Sequence, residues 1–117
     1  MSPHDAPTAQ QLVEAVREWL ERDVMTSTTG RVQFHTRVAI NVLAMVEREI
    51  ELGPDQAADH AERLQALRFA DDASLATAIR NGEIATNDEV AVRDAVRDSV
   101  RDKLRVANPK YLNDAPE

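Results

Sequence analysis

Apolar residues recur every three or four positions along most of the chain, and no stretch alternates apolar and polar between turn signals. The pattern therefore predicts helices and no strand. It is densest over Phe34 to Ile50, where eight of the nine residues Val38 to Val46 are apolar and the ninth is Asn41. A helix over about Arg31 to Leu52 is expected there, buried on most of its circumference. Gly53-Pro54 should end it, since Gly suits the left-handed cap and Pro does not continue a helix. Before it, Leu12, Val13, Val16, Trp19, Leu20 and Val24 give one face to a helix over about Ala9 to Met25. Thr8 and Gln11 form the T-x-x-Q capping box. Glu14–Arg17 and Glu18–Arg22 are favourable pairs on its polar side.

Three more helices follow. The first spans about Asp55 to Phe69 with a thin face of Ala and Leu. The next spans about Ala73 to Asn81, capped by Asp71-Asp72 and closed by Gly82. The last starts from Asn87 or Asp88, runs to about Ala107 and is stopped by Pro109. It carries a period-four ladder in which Val92, Val96, Val100 and Leu104 form an apolar row beside rows of Arg and Asp. Period four drifts roughly 40° per step against the helix, so each row winds slowly round it. The Val row is expected to seal one side of the core. The fold class is all-α, a compact bundle of four to five helices around a buried central helix (31–52). It forms a single domain over 1–117, with an extended segment at 1–7 and a frayed tail at 113–117.

Length fits one domain with a core of its own. The absence of Cys removes disulfides, thiolate nucleophiles and Cys-ligated metals. The formal charge of −7 is spread along the chain and forms no basic patch, which argues against nucleic acid as the partner. No signal-peptide pattern opens the sequence, and the apolar run is far short of the ~20 residues of a membrane span. A cytoplasmic protein without membrane contact is expected. Gly30, Gly53 and Gly82 are isolated and build no phosphate loop. His4, His35 and His60 lie in separate segments without metal-ligand spacing, so neither metal nor cofactor is expected.

Two places could carry specificity. His35, Arg37 and Asn41 are the polar members of the central helix. A buried Asn41 without partners would cost about 1–3 kcal/mol, so these side chains either bond the backbone of the chain ends or line a site. The ends themselves, with His4 and Asp5 before the first helix and Asn108, Lys110 and Tyr111 after the last, are specific for terminal segments. They are expected to lie over the bundle, with Tyr111 covering core, or to form an edge that a partner reads. General acid–base catalysis by His35 has little support, because no nucleophile or carboxylate stands in register with it.

Pro-His-Asp-Ala-Pro-Thr at the start, Phe34-His35-x-Arg37-Val38-Ala39-x-Asn41 in the centre and Asn108-Pro109-Lys110-Tyr111 at the close resemble a family of short bacterial proteins of unknown function. The family closes on Asn-Pro-Arg-Tyr, whereas this chain has Lys110, a point charge in place of a planar guanidinium. The resemblance implies genes beside those for phosphotransferase-like proteins of the aminoglycoside-kinase fold and for acyl-CoA dehydrogenase-like proteins. It thus implies a non-catalytic accessory protein, partner of a phosphotransferase-like enzyme in acyl-CoA-related metabolism. The alternative is a small-ligand-binding helical domain for an acyl or CoA-type ligand. An independent enzyme is the least favoured reading. The apolar surface left by thin helices also leaves room for a homodimer.

Overall fold

The computed structural model describes residues 5–114, and every regular element among them is helical. Helix α1 (Ala9–Trp19) runs through a π-helical turn (Leu20–Val24) into α2 (Met25–Ser27). Helix α3 spans Gly30–Ala66, α4 Asp72–Arg80, α5 Glu89–Ala107 after a 3-10 turn (Thr86–Asp88), and α6 Pro109–Asp114. The all-α expectation holds. The contacts gather into two units, Met1–Gly53 and Pro54–Glu117. No helix is long and apolar enough to cross a membrane, among the described residues.

In the first unit, α1 starts as its sequence dictates. Thr8 accepts from the backbone N–H of Gln11 at 3.1 Å, and the Gln11 side chain accepts from the N–H of Thr8 at 2.9 Å. The turn after α2 is fixed by Gln33 Nε2 donating to the Met25 carbonyl at 3.2 Å. Thr36, buried on α3, returns its hydroxyl to the Val32 carbonyl at 2.7 Å and leaves no polar atom unsatisfied. The apolar run of α3 is shared between faces. Ile40, Leu43 and Val46 are half-buried, whereas Val38 and Val42 are 44% and 50% exposed. A run of apolar residues on a 3.6-residue helix necessarily covers every side; Leu43, Ala44, Met45 and Val46 are half-buried all round the helix, whereas Val38 and Val42 before them are open.

The break expected at Gly53-Pro54 does not occur. One helix continues through both residues, so the segments read separately as 31–52 and 55–69 are a single α3. Proline brings no N–H to the Ile50 carbonyl and crowds the residue before it. That crowding falls mostly on a Cβ, which Gly53 lacks, so the pair can stay helical.

In the second unit Leu64, Leu75 and Val92 form the buried centre, with Leu67, Phe69 and Ile84 packed against it. Two helix ends here use the same device. At the end of α4, Gly82 is left-handed (φ 68°) and the Glu83 N–H reaches the Ala78 carbonyl at 2.9 Å. At the end of α3, Arg68 takes that conformation (φ 68°), and the Phe69 N–H reaches Leu64 at 2.9 Å. The Phe69 ring meanwhile packs on the Leu64 cluster, the hydrophobic contact typical of this cap. Asp71 caps α4 by accepting from the N–H of Ser74 at 2.8 Å.

The Val row does not seal the core. Val92 is buried, but Val96 and Val100 are exposed, because the drift of the period turns them away. Helix α5 ends at Ala107 before Pro109, as expected, but Pro109 is not the end of helical structure. It opens α6, at the first position, where its missing N–H costs nothing. Residues 115–117 of the expected frayed tail lie outside the described residues.

Candidate functional site

Arg17 sits at the seam of the first unit, where α1 meets α3. Its Nε donates to Glu47 at 2.9 Å and its guanidinium also reaches Glu21 at 2.9 Å, with the Arg17 and Glu47 side chains mostly buried. The hydrogen bonds to Glu47 and then to Glu21 hold its pKa above the ordinary arginine value, against the opposing effect of burial. The helical pair expected between Glu14 and Arg17 is thus replaced, since Arg17 turns inward to Glu47. The pair of Glu18 with Arg22 forms, at 3.4 Å.

His35, Arg37 and Asn41 stand exposed on α3. Among the described residues none of the three side chains is hydrogen-bonded to backbone. His35 meets the Phe34 ring edge-on, with centroids 5.5 Å apart and planes at 74°. Beside these polar groups Phe34, Val38 and Val42 form an exposed stripe at four-residue spacing. Asp5 is exposed, and His4 lies outside the described residues.

Asn108 caps α5, with its N–H on the Leu104 carbonyl at 2.7 Å, and its own carbonyl accepts from the Tyr111 N–H at 3.1 Å. Lys110 and Tyr111 follow on α6, both exposed. Tyr111 therefore does not cover core. The three belong to the second unit, and His35, Arg37 and Asn41 to the first.

Sequence reasoning missed a polar cluster in the second unit. His60 Nε2 lies 2.7 Å from Asp72 Oδ1, and its Nδ1 lies 3.1 Å from Ser99 Oγ. The residue types are those of a hydrolytic triad. Ser99 Oγ also lies 2.9 Å from the Ala95 carbonyl, which only accepts. With Nε2–H donated to the Asp72 carboxylate, Nδ1 of a ring carrying one proton is an acceptor too, so the single hydroxyl hydrogen has two acceptors within reach. The cluster is a clasp joining α3, α4 and α5 beside an open hollow lined by Ala57, Ala61, Leu64 and Phe69. Asp71, at the same rim, has its carboxyl held below the ordinary aspartate value by the side chain and then the backbone N–H of Ser74. Deeper, Asp102 receives Arg63 at 2.9 Å, while its carbonyl takes Gln56 Nε2 at 2.9 Å. These partners are 12 to 46 residues apart, beyond any spacing rule. No group of three His, Cys, Asp or Glu among the described residues is placed to hold a metal ion.

A family model described as a domain of unknown function, DUF6285, matches residues 26–111. No curated protein and no solved structure matches the chain.

Proposed function

The chain belongs to the DUF6285 family, and we propose that it is a non-catalytic accessory protein that works by docking to another protein. The observation that carries this reading is the exposed apolar stripe Phe34, Val38 and Val42 on α3, edged by Arg37 and Asn41 on one side and by His35 on the other. An apolar strip edged by a guanidinium and an amide matches the composition of a protein-binding surface, in which Arg and aromatic residues are enriched. The residues lie on a rigid helix, so little ordering entropy opposes docking. The partner we assign is the phosphotransferase-like enzyme, in acyl-CoA-related metabolism, that the resemblance of the sequence motifs implies.

The test is co-purification from the native host with the neighbouring phosphotransferase-like protein tagged. The wild-type chain is expected to be retained and Arg37→Glu/Asn41→Ala to be lost. If the wild-type chain is not retained and adding it leaves the enzyme's activity unchanged, the reading fails.

A further inference from the structure

The chain carries 21 acidic and 14 basic residues, yet the stretch from Gly30 to Val46 holds no Asp or Glu. Arg31 and Arg37 are its charged residues, with His35 between them. The same stretch includes the most open part of α3. Arg31, Phe34, Arg37, Val38, Asn41 and Val42 are exposed. From Leu43 to Arg48 every residue is half-buried, and acids return at Glu47. The open segment of α3 is therefore also free of acid.

At 100° per residue, Phe34, Val38 and Val42 span ~80° of the helix surface. They lie on the side opposite Glu47, which meets Arg17 of α1. Arg31 falls in line with this stripe at its N-terminal end. Arg37 runs along one edge, ~60° from Phe34, with Asn41 between them. Neither guanidinium makes an ion pair with a described residue. The stripe thus carries two positive charges that the described fold does not neutralise.

We infer that the surface docking on this segment is acidic: an apolar groove of the partner protein whose rim carries Asp or Glu carboxylates. Phe34, Val38 and Val42 enter the groove, and Arg31 and Arg37 meet the rim. The inference rests on the docking reading above and names the chemistry of that partner. Charge decides between occupants. A basic partner would be drawn to the rest of this chain, whose formal charge is −7, and turned away here. A second copy of the stripe would set Arg against Arg. A neutral groove would take water from the guanidinium of Arg31 and return no charge-assisted hydrogen bond. An acidic partner is repelled by the remaining surface and admitted at this segment, so the charges that attract it also fix where it lands. Arginine suits such a rim, because its planar fork pairs with carboxylates bidentately.

The probe is the purified neighbouring phosphotransferase-like protein, and binding of the full chain is measured at about 20 mM and about 300 mM salt. Wild-type affinity should fall at least about tenfold over that range. Arg31→Gln/Arg37→Gln should lose most of the salt dependence. Arg31→Glu/Arg37→Glu should weaken binding by at least about a hundredfold at the lower salt, because like charges then face each other. Both positions are exposed, so circular dichroism should stay that of the wild type. If the glutamate variant fails that check, the salt dependence of the glutamine variant decides alone. Phe34→Ser/Val42→Ser removes apolar contact and keeps both charges, so it should bind more weakly with the salt dependence unchanged. Wild-type affinity that ignores salt, or a folded glutamate variant that binds like the wild type, overturns the acidic rim and leaves the docking reading standing. No retention of the wild-type chain at either salt overturns both. Salt-dependent binding to phosphatidylserine vesicles, without binding to the enzyme, assigns the segment to an anionic membrane surface and also overturns the inference.

Discussion

Replacing Pro54 by Ala should raise stability, and the sign of the effect tests the continuity of α3. In a helix interior Pro costs about 3 kcal/mol relative to Ala, through the lost N–H bond and the clash with the carbonyl four residues earlier. Removing it frees the unfolded chain to explore more conformations, which takes back about 0.4–1 kcal/mol. The net gain expected for Pro54→Ala is therefore about 2 kcal/mol. With a urea slope of roughly 1.5 kcal/mol per molar, the midpoint should rise by roughly 1.3 M. Helical ellipticity should rise or hold. If Gly53-Pro54 were a true interruption, the ring would sit where a turn wants it. The substitution would then lower the midpoint through the unfolded state alone. A midpoint that falls or stays put would refute the continuous helix.

Arg68→Gly should stabilise the second unit by about 1 kcal/mol, since a left-handed non-Gly residue costs roughly 1–2 kcal/mol and Gly gives part of that back as unfolded-state entropy. Thermal unfolding checks it, and a drop in Tm counts against the cap geometry. Asp102→Ala leaves a mostly buried guanidinium without its carboxylate and should cost about 1–3 kcal/mol. A double-mutant cycle with Arg63→Ala should return a coupling of at least about 1 kcal/mol, and strict additivity would remove the pair from the stability of this unit. Asp71 is held below its ordinary value, so the cap it makes is fully present above about pH 4 and is lost as pH falls through the lowered folded-state value. Asp71→Asn caps without titrating. Its unfolding midpoint should therefore fall less than that of the wild type between pH 5 and pH 2, and parallel curves would contradict the assignment.

The helix pattern was legible because it is local. The capping box at Thr8, the cap at Asp71 and the stop at Gly82 each follow from residues within four positions of one another. What was not legible depended on which of two local rules yields. Gly53-Pro54 reads as a terminator, yet the missing Cβ of Gly53 is what lets the helix pass. Arg68 carries no stop signal, and the helix ends there because Phe69 gains the Leu64 cluster. The pattern marks His35, Arg37 and Asn41 as the polar members of an apolar run, but their exposure on α3 does not follow from it. Burial of a helix face depends on a layer that the sequence of that helix does not contain. The clasp at His60 escaped notice for the same reason, since Asp72 and Ser99 come from other helices.

The π-helical turn at Leu20–Val24 takes up one residue more than an α-helical turn of equal rise. Deleting a single residue there would therefore leave a regular helix whose two halves keep their phase, and Arg17 would stay on Glu47. Deleting one residue between Arg17 and Leu20 without such a turn to absorb it would instead rotate the N-terminal half of α1 by ~100° and take Arg17 off Glu47. The turn thus works as a splice, holding a surplus residue without changing which side chains of α1 face α3.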